Sequence, residues 1–271
     1  MTELAEMIAF GSVDEINWNC PFSHTKNKPK QLNNVMPPVD GEKTNDADKL
    51  GKNLKNEYAK HATLDIQIKK GNVINIYKVQ YTPHHLIPGN ESWPETALLR
   101  WVDSRDGHIS GDIGYDINHA TNGVDLPGIH GVGDTAWSGM TEDFQTKYAF
   151  AAMLATRPRR QFHDRHPKYS SFVVNVLDAI AQKLDKSTHG TTPGCGKADC
   201  GGKKQAPPYD PPFNLINRIN AVAERLENHL KGAPSGWRMP IFTSRFSLML
   251  KKQDKSLTQD EARKEISSFV V

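Results

Sequence analysis

Residues 81–90 read YTPHHLIPGN. Two adjacent histidines, His84 and His85, stand where an alternating apolar run gives way to a Pro-Gly turn. Upstream, Leu64, Ile66 and Ile68 alternate with Asp65 and Gln67, while Tyr77, Val79 and Tyr81 alternate with Lys78 and Gln80. Period-two alternation marks a half-buried strand. Gly71-Asn72 between the runs suits a tight turn. A hairpin over residues 63–81 is therefore expected, with Val73, Ile74 and Ile76 covering both faces where its second strand begins. That strand delivers the chain to the histidine pair. Side chains that follow one another at a strand end point to different sides, so one imidazole can face a metal while its neighbour faces a substrate.

A second histidine cluster lies downstream, in RRQFHDRHPKY at residues 159–169. His163 and His166 form an H-x-x-H pair, and Pro167 suits the first position of a helix. Phe172, Val173, Val176, Leu177, Ile180 and Leu184 make the apolar face of that helix, expected over Pro167–Leu184. His166 thus falls at its mouth. Between Lys147 and Lys168 there are six Lys or Arg residues against Asp164 alone. A phosphate would be drawn to such a field, with Arg160 and Arg165 as candidate contacts. Taken singly, a His-His pair is more often structural than functional, and an arginine at a turn is more often solvated.

Elsewhere the chain reads as loops joined by helices. Residues 1–60 look irregular, with a short helix near Asp48–His61. Further helices are expected around Glu95–Trp101, over Thr141–Ala155, near Asn214–Leu230 and from about Thr258, where Thr258 would be the cap with Glu261 three residues on. Residues 103–140 carry many glycines, and residues 187–212 form a Gly/Pro/Cys/Lys-rich loop. The expected organisation is a loop-rich arm (1–60), a core (61–186), and a loop with helices packing on that core (187–271). The fold class is α+β.

Composition narrows the function only a little. The 271 residues are 37% hydrophobic with a net charge of +3, which permits a polyanionic partner without demanding one. No run approaches the ~18 apolar residues of a membrane helix. The first residues, MTELAEMIAFGSVDE, lack the basic region and apolar core of a signal peptide. Three cysteines do not make a disulfide scaffold.

HHLIP, then NGVDLP, then H-x-x-HPKYSSFV, in that order, resembles the AHH nuclease family, a branch of the HNH/endonuclease VII group with a ββα-metal core. The resemblance covers about residues 80–185. Pro83 stands where the family has alanine, and the spacer between NGVDLP and HPKY is long enough to hold an inserted helix. The resemblance implies a metal-dependent endonuclease acting on DNA. In it His84 matches a metal ligand on the strand, His85 the general base, and His166 the ligand at the helix start. Asn122 matches the central asparagine that ties the loop and helps to orient the base. His163 is a second helix-side ligand or a substrate contact. An imidazole with an ordinary pKa of about 6.5 suits the base. Mg²⁺ is the expected ion, with Mn²⁺, Zn²⁺ and Ni²⁺ also compatible. The family further implies a bacterial toxin or effector, made in the cytoplasm and delivered by a secretion system such as type VI into a target cell. A carrier or adaptor and a cognate immunity protein would accompany it. An RNase on the same scaffold and a non-catalytic zinc-stabilised binding module are the alternatives.

A separate ligand set is also present. Cys20 and His24 form C-x₃-H, and Cys195 and Cys200 form C-x₄-C. Together they match a Cys₃His structural zinc site, with His189 as a substitute ligand. A disulfide between Cys195 and Cys200, or free thiols, are the other readings.

Overall fold

The computed structural model describes residues 3–10, 41–42, 44–58, 63–70, 72–105, 108–109, 115–188, 215–238 and 240–256. Its first element is a helix, α1 (Glu3–Phe10), within the stretch expected to be irregular. Ala5, Ile8 and Ala9 are buried along it, a helical spacing too short to stand out from the polar residues that follow. A two-residue strand, β1 (Gly41–Glu42), and a helix, α2 (Ala47–Tyr58), come next.

The hairpin forms where alternation placed it. β2 (Leu64–Lys70) and β3 (Val73–His85) pair antiparallel, from Leu64 opposite Val79 to Lys70 opposite Val73. Ile66, Ile68 and Val79 are buried. Val73 falls on the Tyr77 side and Ile74 and Ile76 on the other, so the three do occupy both faces, but they are 59%, 46% and 65% exposed. Ile74 and Ile76 stand opposite Lys69 and Gln67 on the solvent face. β3 is longer than the alternation suggested and carries both histidines as its last residues.

β4 (Asp103–Arg105) and β5 (His108–Ile109) join β1 in a small antiparallel sheet of order β1-β5-β4. β6 (Gly123–Gly128), cut from NGVDLP, flanks β3 in a second sheet of order β2-β3-β6. The long spacer then holds a short helix, α3 (Asp134–Ser138), and α4 (Glu142–Ala155). Thr141 caps α4, its side chain accepting from the Phe144 N–H at 3.3 Å. Tyr148 through Met153 are all buried, so α4 is enclosed on all sides over its middle rather than along one stripe. Small alanines allow this by filling the faces that a charged residue would need open. α5 (Pro167–Thr188), α6 (Leu215–Leu230) and α7 (Arg245–Ser256) complete an α+β fold. α7 was not expected; Phe246 and Leu250, one turn apart, are its buried apolar residues. The helix expected from Thr258 lies outside the described residues. No described helix is long and apolar enough to cross a membrane.

Two compact units are assembled from alternating stretches of chain. One comprises residues 1–46, 85–122 and 170–225. In it the apolar face expected on α5 is buried throughout. Asp178 of α5 accepts from the Thr96 hydroxyl and the Ala97 N–H, both at 2.8 Å. That contact fastens the 3₁₀ turn Ala97–Trp101, whose first amides would otherwise lack acceptors. The other unit comprises residues 47–84, 123–169 and 226–271. Its core gathers Ile66, Ile68, Val79, Trp137, Tyr148, Phe162, Trp237 and Phe246.

Candidate metal centre and general base

His84, His163 and His166 come together within the second unit. A ligand atom from each lies within 4.8 Å of the other two. The ring centroids stand 4.9 Å (His84–His166), 5.1 Å (His84–His163) and 5.2 Å (His163–His166) apart. Among the described residues, no carboxylate or thiolate joins this near-equilateral triangle. Three imidazoles whose ligand atoms lie this close could hold a single divalent ion, with positions left for water or substrate. Tyr169, fully buried, packs edge-on against His84 with centroids 5.1 Å apart. Burial holds its phenol above the ordinary tyrosine pKa, and so neutral.

Each ligand is delivered by a different local device. His84 rides the rigid end of β3. His166 ends an extended segment, and its carbonyl accepts the first-turn N–H of Tyr169 at 2.9 Å. Pro167, at the helix start, has no N–H to satisfy. His163 is pinned to β6: its N–H donates to the Pro127 carbonyl at 2.8 Å, and a parallel bridge joins it to Gly128. The segment before it is locked by buried Gln161. The Gln161 Oε1 accepts from the Thr243 N–H at 3.0 Å, and its Nε2 donates to the Ile241 carbonyl at 3.0 Å. Gly128 lets the two strands approach, since a Cβ there would stand 2.4 Å from the Thr82 Oγ1 of β3.

His85 belongs to the first unit. It is 7% exposed, and its Nε2 lies 2.9 Å from the Asn118 Oδ1. Burial pushes its pKa below the ordinary value, against the Asn118 hydrogen bond and the nearby charges of Glu91, Asp46 and Asp116, which raise it. A lowered pKa keeps a base unprotonated at neutral pH. Asn122 does tie the loop. Its Oδ1 accepts from the Ile87 N–H at 2.9 Å, and its Nδ2 donates to the carbonyls of Ile87 (3.1 Å) and Ile117 (2.8 Å). The residue that meets the His85 ring is Asn118, four positions earlier in the same segment. The sequence shows it only as a second asparagine there.

The two candidate arginines differ. Arg160 is 6% exposed and donates from Nη1 to the Asp125 carbonyl at 2.6 Å. Its guanidinium is engaged in the fold. Arg165 is exposed and lines an open cavity of about 710 Å³ with His163, His130 and Arg245. Arg245, absent from the sequence reading, is held there by the Gln145 Oε1 at 3.0 Å. Cys20, His24, His189, Cys195 and Cys200 lie outside the described residues.

One family model matches, over residues 71–191, described as a nuclease family of the HNH/ENDO VII superfamily with conserved AHH. No curated protein and no solved structure matches the chain.

Proposed function

Because residues 71–191 belong to the AHH nuclease family, we propose that this protein is a metal-dependent endonuclease that hydrolyses DNA, with His85 as general base. The convergence of His84, His163 and His166 carries the reading. Their donor set fits a divalent ion, held by all three rings. An all-imidazole site favours Zn²⁺, Ni²⁺ or Mn²⁺ over Mg²⁺, which prefers oxygen ligands. Bound there, the ion would supply positive charge to phosphate oxygens and the leaving oxygen.

The remaining work falls to the chain. His85 directly follows a ligand in sequence, and its ring is neutral at physiological pH, so it can accept a proton from an attacking water. Arg165, exposed beside His163, offers a bidentate contact to a neighbouring phosphate. Arg160 is a weaker candidate, since a backbone carbonyl already takes its Nη1. Water attack needs no 2′-hydroxyl, so DNA can serve as the substrate.

Incubation of supercoiled plasmid with chelator, Mg²⁺, Mn²⁺, Zn²⁺ or Ni²⁺ tests this. Nicking should require an ion and vanish in His85→Ala. Cleavage in chelator, or full activity of His85→Ala, defeats the mechanism; cleavage of RNA but not DNA moves the substrate. Delivery as a bacterial toxin, through a secretion carrier and with an immunity protein protecting the producer, rests on the family resemblance. Induced expression inside bacteria should degrade the chromosome, with His85→Ala harmless.

A further inference from the structure

The side chain of Asn118 can be oriented without ambiguity. Its Oδ1 accepts from the backbone N–H of Asp46 at 2.8 Å, and its Nδ2 donates to the backbone carbonyl of Thr44 at 3.1 Å. An amide N–H can only donate and a carbonyl can only accept, so the amide cannot be flipped. The same Oδ1 lies 2.9 Å from His85 Nε2. Facing an acceptor, Nε2 must carry a hydrogen. In a neutral imidazole the other nitrogen, Nδ1, is then bare. Asn118 is itself fully buried, and its own N–H is held by the Asp116 Oδ1 at 2.9 Å. The acceptor is therefore fixed before the ring arrives. Asn122, spent on Ile87 and Ile117, is not bonded to the ring.

We propose that Asn118 is the positioning residue of the reaction, holding His85 as the Nε2–H tautomer so that Nδ1 is the nitrogen that takes the proton from water. This rests on His85 being the base. In the step, a water O–H bond breaks and its proton forms an N–H bond at Nδ1. The electron pair stays on the water oxygen, which bonds phosphorus as the P–O bond to the leaving oxygen breaks. The ring becomes an imidazolium still donating Nε2–H to Asn118, whose carbonyl dipole stabilises the new charge.

Long-range ¹⁵N–¹H NMR of the metal-free protein at about pH 9, where a free imidazole is neutral, reads the tautomer directly. His85→Gln identifies the signal by its loss. The wild type should show Nε2–H with bare Nδ1. Asn118→Leu, close in shape but without an acceptor, should show both tautomers. Its kcat should fall at least about tenfold, within the roughly 10²–10⁴-fold that a general base contributes, with KM unchanged. Asn118→Asp loses the donor to Thr44 but keeps the acceptor for both Asp46 and His85, and should restore the native tautomer. If Asn118→Leu fails to fold, the wild type and Asn118→Asp still decide. A hydrogen on Nδ1 in the wild type, or an Asn118→Leu protein with native tautomer and full kcat, overturns the assignment. Because NMR reads the ring without turnover, an inactive wild type showing Nε2–H would remove the base reading while supporting the role of Asn118.

Discussion

At the scale of single residues, two neighbours on one strand have different chemistry. His84 shares its surroundings with two further imidazoles, whereas His85 meets an amide oxygen. Ion binding and proton transfer should therefore separate by mutation. In calorimetric titration with Zn²⁺, His84→Ala should weaken binding at least tenfold, since losing even an outer-shell partner of a metal ligand costs on the order of 10–100-fold. His85→Ala should bind the ion as the wild type does and yet nick no plasmid. Equal weakening by both would mean that His85 is a ligand. The arginines should split likewise. Arg160→Ala removes the charged hydrogen bond to the Asp125 carbonyl, at a cost of about 1.5–3 kcal/mol in chemical denaturation. Arg165→Ala, at an exposed position, should change stability by less than about 0.5 kcal/mol. It should lower the salt slope of DNA binding by about 1. An unchanged slope would free Arg165 from any phosphate.

At the scale of elements, the centre depends on how closely β6 approaches β3. Gly128 faces the buried Thr82 Oγ1 and also carries the bridge to His163. Gly128→Ala should cost about 1–3 kcal/mol through overpacking and weaken ion binding by displacing His163. Adding Thr82→Ala removes the clashing oxygen, which has no hydrogen-bond partner among the described residues. The double variant should be more stable than Gly128→Ala alone, a coupling that a double-mutant cycle measures. Strict additivity would show that the close approach is not what makes Gly128 necessary. The outer face of the hairpin is freer. Ile76, 65% exposed, contributes little burial, so Ile76→Thr should leave the melting temperature nearly unchanged while reducing aggregation.

At the scale of the whole molecule, stability should depend on pH through histidines buried neutral in each unit. Burial lowers the pKa of His85 in one and of His229 in the other, where Arg238 adds to the effect. A histidine with a depressed folded pKa binds protons more readily when unfolded. Its contribution is present above the unfolded value of about 6.5 and is lost as pH falls through the folded value. The metal-free protein should melt at a lower temperature at pH 5.5 than at pH 7.5. A flat profile across that range would show that neither ring is held neutral.

Much of this architecture was legible in the sequence because its signals are local. Alternation across Leu64–Tyr81 specified the hairpin, Pro167 marked a helix start, and Phe172 through Leu184 specified a buried face. α1 and α7 were not legible, since eight or twelve residues without a sustained apolar period gain their helical state from packing. The candidate ligands His84, His163 and His166 could be nominated from the order of their motifs in the resemblance to the AHH family. Asn118 could not, because nothing in a chain distinguishes an amide that meets a histidine ring from one that ties a loop.

By itself, then, the sequence determined the hairpin and the start of α5 through spacing over a few residues, and its resemblance to the AHH family nominated the imidazoles. Only the tertiary structure decided that His84 and the pair His163 and His166, some eighty residues further along the chain, come within 4.8 Å of one another, that Arg160 is enclosed and Arg165 exposed, and which asparagine holds His85. Those outcomes depend on distances between segments remote in sequence, and such distances are set by packing and close strand approach rather than by any local preference of the backbone.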